Sequence, residues 1–275
     1  MKPTKIEWTQ ASWNPTIGCN KVSDGCQNCY AEVMAKRLQA MGNKDYQEGF
    51  KFKMLEQRLD EPLKNKKPTL YFVNSMSDLF HEKMQVEFLD KIMQVIQATP
   101  QHQYQILTKR PHRMFEYFEG KKYSQNPISN QENKKIFGGG IMHDIPPNAW
   151  LGTTTESSRV KERINIIRPL KANVKWLSIE PLLDDIGELD LSGIDWVIVG
   201  GESGFRARAM QESWVLKIQK QCKEQNVAFF FKQWGTWGSD GIKRNKKDNG
   251  AMLNGKLYRE YPKIATQTIR QLFND

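Results

Sequence analysis

Val174-Lys175-Trp176-Leu177-Ser178-Ile179-Glu180-Pro181 and Trp196-Val197-Ile198-Val199-Gly200-Gly201-Glu202 decide the fold. Each opens as a short, mostly apolar run and carries a carboxylate, Glu180 or Glu202, at or next to its end. A strand that is apolar on consecutive positions is buried on both faces, as the strands of a parallel sheet are. Similar runs recur at 69–73, 104–107, 149–154 and 228–231, and one further short strand is expected before Cys19. Helical patterns lie between them. Leu89, Ile92, Met93 and Ile96 form a stripe ended by Pro100, and Trp214, Ile218 and Cys222 repeat at steps of four. Ser157 or Ser158 is placed to cap a third helix running toward Pro169. Strand–helix alternation predicts an α/β fold with a parallel sheet and crossover helices. No Gly-x-Gly-x-x-Gly follows the first strand, so a partial or closed parallel β/α barrel is favoured over a Rossmann sheet.

The chain has 275 residues, 39% of them apolar, enough for a sizeable core. Residues 1–237 are expected to form the barrel. Within it, 117–147 read as a peripheral insertion, because Gly138-Gly139-Gly140 and Pro146-Pro147 break the rhythm. Residues 238–275 read as a C-terminal extension with a hairpin at Asn254-Gly255 and a short final helix. No apolar run reaches eighteen residues and the first residues lack a signal-peptide core, so no membrane association and a cytoplasmic location are expected. The net charge of +10 points to an anionic partner, with nucleic acid or a nucleotide first. Part of that excess sits in basic loops at 121–135 and 243–247, near Trp234 and Trp237, whose indoles offer stacking surfaces for bases.

In a β/α barrel, chemistry gathers at the C-terminal strand ends. Here those ends carry Asn74-Ser75-Met76-Ser77-Asp78, Thr108-Lys109-Arg110, Thr153 with Thr155 and Glu156, Ser178 with Glu180, Gly200-Gly201-Glu202-Ser203-Gly204, and Lys232-Gln233-Trp234-Gly235. Six polar ends of such variety read as a ring around a polar ligand. Gly200 and Gly201 would allow close approach to the backbone, and the N–H groups of Ser203 and Gly204 could hold a carboxylate.

Cys19, Cys26 and Cys29 are three of only four cysteines, spaced Cys-x6-Cys-x2-Cys. Thiolates suit zinc or iron–sulfur clusters. A structural zinc site closes with four protein ligands. A fourth here would have to be Cys222, which shares a helical stripe and reads as core, or one of four histidines, none near in sequence. Three thiolates on a [4Fe–4S] cluster leave one iron open, which favours a working cluster.

This trio, followed by Tyr30-Ala31-Glu32, resembles a variant of the radical S-adenosylmethionine (SAM) motif, whose commoner spacing is Cys-x3-Cys-x2-Cys. The resemblance is closer to uncharacterised phage and bacterial radical-SAM-like three-cysteine-motif proteins. It is carried by Lys5-Ile6-Glu7-Trp8, Trp13-Asn14-Pro15, Met76-Ser77-Asp78-Leu79-Phe80, Leu107-Thr108-Lys109-Arg110-Pro111, Trp150-Leu151-Gly152, Leu177 to Leu182, Val199 to Gly204 and Phe230 to Gly235. It implies a TIM-barrel-related partial barrel that uses a [4Fe–4S] cluster and S-adenosyl-L-methionine. Metal ligands would be Cys19, Cys26 and Cys29. The position after the second strand, which binds the SAM amino group in the superfamily, holds Ser75, Ser77 and Asp78 here. Thr153, Thr155, Glu156, Ser178, Gly200 and Gly201 complete the expected cofactor contacts.

The implied chemistry is reductive cleavage of SAM to methionine and a 5′-deoxyadenosyl radical, which abstracts hydrogen from substrate. Glu180, Glu202, Lys109 and Lys232 are the candidates for substrate contact or proton transfer, although each lysine could instead pair with a neighbouring strand-end carboxylate. A nucleic acid or nucleotide substrate and an electron donor such as flavodoxin or ferredoxin are the expected partners. The competing reading is a non-catalytic zinc- or cluster-containing nucleic-acid-binding protein.

Overall fold

The apolar runs form strands close to where the sequence places them. A computed structural model of the chain describes residues 4, 6–120 and 143–263. The described residues fall into two compact units, one within Met1–Asn20, Ala31–Thr153 and Asn165–Asn173, the other within Lys21–Tyr30, Thr154–Ile164 and Val174–Asp275.

The first unit carries strands β1 (Ala11–Trp13) and β2 (Thr16–Ile17), helix α1 (Tyr30–Ala40, from Ala31), β3 (Lys53–Met54), α2 (Glu61–Lys64) and β4 (Leu70–Val73). It continues with α3 (Val86–Ala98), β5 (Gln103–Thr108), α4 (Pro111–Glu119) and β6 (Ala149–Thr154), whose last residue already belongs to the second unit. β1, β4, β5 and β6 pair in parallel, with Trp13 beside Val73, Val73 beside Ile106 and Thr108 beside Thr153. β2 and β3 form a small antiparallel pair. The α3 stripe buries Phe88, Leu89, Ile92, Met93 and Ile96, as its spacing predicts. Each such side chain contributes about 1.5–3 kcal/mol by leaving water.

Helix α5 (Arg163–Ile167) is shared between the units. The second unit then carries β7 (Val174–Ile179), β8 (Trp196–Gly200), α6 (Glu212–Glu224), β9 (Ala228–Gln233) and α7 (Lys246–Asn249). β7, β8 and β9 pair in parallel and are almost wholly buried, with Trp176 and Trp196 in the core. Within the first unit the parallel strands run in the order β1-β4-β5-β6, and within the second in the order β7-β8-β9. The fold is therefore α/β with parallel strands joined through helices, the class the strand–helix alternation predicts.

Three expectations need correction. No side-chain cap forms at Ser157, and Ser158 bonds to Asp184 through both its N–H and its hydroxyl (2.9 Å each), so a 3-10 turn precedes a five-residue α5. Trp234 is 2% exposed with its Nε1 donating to Met252 O, so it is core and offers no face to a base. Trp214 sits only at the edge of the α6 stripe, which buries Val215, Ile218, Gln221 and Cys222. The turn at Asn254-Gly255 is present, with φ of 48° and 71° between the bridged Leu253 and Lys256. Residues 121–142 of the expected insertion, the basic loop at 121–135 within them, and the expected final helix in 264–275 lie outside the described residues.

Candidate active site

In the first unit the loop after β4 braces the segment leading to Cys19. Gly18 has a φ of 75°, and a Cβ there would lie 2.1 Å from Lys51 O, so only glycine fits before the cysteine. Gly18 N–H donates to Met76 O (2.9 Å), Ser77 Oγ donates to Gly18 O (2.7 Å), and Cys19 N–H donates to Phe50 O (3.1 Å). Ser75 Oγ donates to Asn14 Oδ1. Asp78 is buried and accepts four bonds: from Thr108 Oγ1 (2.7 Å), Phe80 N–H (3.0 Å), Lys109 N–H (3.1 Å) and Arg110 Nη1 (3.0 Å). Arg110 also donates to Asn20 O and Asn20 Oδ1, and stands 3.6 Å from Cys19 Sγ. Burial opposes its charge, and Asp78 and Cys19 more than restore it. Arg110 thus sets a fixed positive charge beside the sulfur. Thr153 is buried and donates to Thr108 O (2.9 Å).

The second unit holds Cys26 and Cys29 on a loop gripped by two carboxylates. Glu156, fully buried, accepts from Ser23 Oγ, from Gly25 N–H (3.2 Å) and from Arg163 Nη1 (3.0 Å). Glu202 accepts from Arg208 N–H (2.8 Å), Nε (2.9 Å) and Nη2 (2.5 Å), and from Asn28 Nδ2 (3.0 Å). Burial pushes the Glu202 carboxyl up, but these hydrogen bonds outweigh it and hold the group below the usual carboxylate range. Arg208 Nη2 also donates to Asp24 O, and Asn28 Nδ2 to Arg206 O. The loop after β8 and the cysteine loop are therefore tied together at both ends.

The end of β7 is built differently. Ser178 Oγ stands 3.4 Å from Glu180 Oε2, on the face that period-two alternation predicts. Lys232 Nζ lies 3.1 Å from Glu180 Oε1. The β8–β9 register slips there: Val199 pairs with Phe231 and Gly200 with Gln233, leaving Lys232 as the extra residue of a bulge. A bulge re-aims the side chain it carries, and here the lysine meets the carboxylate. The pairing of Lys232 with a neighbouring strand-end carboxylate, considered from sequence, is present.

Gly201 is a packing glycine: a Cβ would fall 1.8 Å from Trp234 O, and its N–H donates to Gln233 O. Gly204 N–H donates to Thr236 Oγ1 (2.9 Å), so it is not open to hold a ligand carboxylate as expected. Thr155 Oγ1, by contrast, is buried with no hydrogen-bond partner. An orphaned hydroxyl beside Glu156 at a strand end is the kind of group a polar ligand satisfies.

All four cysteines are free thiols, and the trio is half-buried. Among the described residues no three His, Cys, Asp or Glu side chains are grouped to hold a single ion. A four-iron cluster takes each thiolate on a different iron, so its ligands stand farther apart than those of one ion. Three free, half-buried thiols, one of them with an arginine beside it, are the kind of donors such a group takes. Cys222 is fully buried, and burial pushes its thiol up to about 12, as its core assignment requires. A cavity of about 660 Å³ between α6, β9 and residues 258–263 is lined by Cys222, Asp195 and Glu260 and by none of the candidate residues. No helix among the described residues is long and apolar enough to cross a membrane.

Sequence reading missed the partners that make these groups work: Arg110, Arg163, Arg208, Asn28 and Ser23. Arg110 follows Thr108-Lys109 directly and Arg208 lies six residues past Glu202, so the signal available was an arginine shortly after each strand-end carboxylate or hydroxyl.

Fold and site define an α/β protein with parallel strands and a loop carrying Cys26 and Cys29 that is gripped by strand-end carboxylates. The chain belongs to the family described as "Protein of unknown function (DUF5131)", whose model matches residues 3–262. No curated protein matches it. Among solved structures it is similar to spore photoproduct lyase complexed with dinucleoside spore photoproduct, at 10% identity and a TM-score of 0.43, over 99% of this chain and 74% of that one. A variant of spore photoproduct lyase with bound AdoMet and dinucleoside spore photoproduct gives 10% identity and a TM-score of 0.40, over 99% and 74%.

Proposed function

We propose that this protein is a radical SAM enzyme of the three-cysteine-motif type, with a [4Fe–4S] cluster on Cys19, Cys26 and Cys29 and a nucleic acid or nucleotide as substrate. The observation that carries the reading is the cysteine trio itself: free, half-buried thiols in an eleven-residue segment whose flanks are fixed by buried carboxylates. When bound, the cluster and SAM supply one-electron cleavage of the sulfonium and a radical able to abstract hydrogen.

The chain's own groups orient and protect. Arg110 steadies the Cys19 sulfur, and Glu156 and Glu202 fix the backbone around Cys26 and Cys29. Thr155 offers an unsatisfied hydroxyl to the cofactor; Ser75, Ser77, Asp78, Thr153, Ser178, Gly200 and Gly201 are the other candidate contacts. Glu180 and Lys232 form the pair that can hold or move a proton, with Lys109 a further candidate. Reduced thiols suit a cytoplasmic location, where a flavodoxin or ferredoxin would deliver the electron.

The test is anaerobic reconstitution with iron and sulfide, addition of SAM, and reduction with dithionite. Formation of 5′-deoxyadenosine, lost in Cys26→Ala, supports the reading. Failure of the cluster-loaded protein to bind SAM in isothermal titration would remove the radical assignment and leave the cluster.

A further inference from the structure

Phe205 is the most exposed large hydrophobic side chain among the described residues, at 92%. Burying a ring of that size is worth kilocalories, so leaving one in water on an otherwise well-packed unit calls for a reason. It does not sit on a loose tail. Its neighbours on both sides are fastened: Glu202 and Arg208 form the ion pair described above, Arg206 O accepts from Asn28, and Phe205 O accepts from Lys243 Nζ (3.3 Å). Ala207 O accepts from Trp237 Nε1 (2.7 Å). The scaffold is braced and the ring is presented.

The chemistry around the ring is cationic. Lys243 Nζ stands 5.8 Å from the Phe205 ring centroid and 5.0 Å from that of Trp237. Arg206, Lys246 and Lys247 are exposed as well. Arg244 is engaged with Asp240 (2.6 Å). Across 239–248 the cations Lys243, Arg244, Lys246 and Lys247 exceed the carboxylates Asp240 and Asp248 by two. A second exposed ring, Tyr30 at 68%, follows Cys29 directly and lies two residues beyond Asn28. Two presented rings thus flank, in sequence, the hydrogen bond that joins the cysteine loop to the loop after β8.

We infer that this face of the second unit binds single-stranded nucleic acid, with unpaired bases stacked on Phe205 and Tyr30 and phosphates held by Arg206, Lys243, Lys246 and Lys247. The inference deepens the substrate reading above and rests on it for the link to chemistry. A ring set among cations selects this partner: every base has a π-face to stack, and an intact duplex hides those faces between its own pairs. An apolar protein patch would leave the surrounding lysines without counter-charge. Trp237, covered by Lys243, holds the platform in place, and Trp234 takes no part.

The test is fluorescence anisotropy of the full chain, purified without oxygen, with labelled single-stranded DNA and RNA 12-mers and the matching duplexes, with iron counted on the same samples. Single strands are expected to bind more tightly than duplex. Phe205→Ala is expected to weaken binding about tenfold and Phe205→Trp to retain it, since the side chain lies outside the core and either variant leaves the packing alone. Replacing Lys243, Lys246 and Lys247 by Ser should lower the slope of log affinity against log salt by about 2, roughly 0.7 for each phosphate no longer neutralised. Equal affinity for Phe205→Ala and the parent chain, or tighter binding of duplex, overturns the inference. So does a stoichiometric protein partner that is lost in Phe205→Ala while oligonucleotide affinity is unchanged. Iron-free protein that binds single strands through Phe205 contradicts the cluster and keeps the docking face; iron-loaded protein indifferent to Phe205 does the reverse.

Discussion

The ends of β7 and β8 each carry a glutamate expected from sequence to serve the reaction, and the fold treats the two differently. Glu202 has its carboxylate filled by four hydrogen bonds from Arg208 and Asn28, and every partner belongs to a segment that holds the cysteine loop. Glu180 faces one ammonium, Lys232, across 3.1 Å, and one hydroxyl at 3.4 Å. A carboxylate with all its acceptor sites used is a structural fastening, because any ligand must first displace an internal donor. One held by a single ion pair keeps capacity for another partner. The same contrast separates Asp78, with four donors, from Thr155, with none. Polar residues at strand ends thus divide into those whose bonding capacity is used up within the fold and those with capacity left over.

The most severe test of that division is Glu156→Ala. It strands Arg163, whose side chain is 8% exposed, without its counter-charge, and removes the acceptor of Ser23 and Gly25. A loss of about 3–5 kcal/mol in urea unfolding is expected. Loss below about 1 kcal/mol would mean that the buried ion pair is not what fixes the loop. Glu202→Ala should follow at about 2–3 kcal/mol, since Arg208 is 30% exposed and regains water. Iron content should drop with it.

Acid sharpens the contrast further. His81 is buried, stacked on Phe52, and burial pushes its imidazole down to about 4. Because the folded value is depressed, its stabilisation is complete above the unfolded value near 6.5 and is lost as pH falls from there toward 4, by up to about 3 kcal/mol. Glu202 is depressed too, so its contribution is present above the ordinary carboxylate value and fades only below it. His81→Phe should flatten the upper limb of a stability–pH curve and Glu202→Gln the lower one; a single limb, unaffected by either change, would contradict both assignments. The smallest effect belongs to Glu180→Gln. It keeps a hydrogen-bond acceptor for the half-buried Lys232, so it should cost only about 1–2 kcal/mol and leave iron content intact. A large loss of iron would place Glu180 among the fastenings.

The parallel strands were legible in the sequence because each buried run is bounded by polar or turn residues, and 149–154 and 174–179 are matched to the residue. β1 and β2 were visible only as a short strand before Cys19, being three and two residues long. The bulge at Lys232 was invisible, since register depends on the neighbouring strand. The cysteines declared themselves by spacing. Their supports did not, because an ion pair such as Glu202 with Arg208, or a grip such as Glu156 on Gly25, is set by where the chain returns in space. Trp234 was misread for the same reason: an indole beside basic residues looks accessible until the 250–253 segment is seen to cover it.

Metal and sulfide analysis of protein purified without oxygen bears most directly on the cysteine trio. About four irons with matching acid-labile sulfide per chain are expected, abolished by Cys19→Ala, Cys26→Ala or Cys29→Ala and kept in Cys222→Ala. A colourless protein with one zinc per chain and no sulfide would contradict the cluster and leave a zinc-bearing nucleic-acid-binding protein in its place.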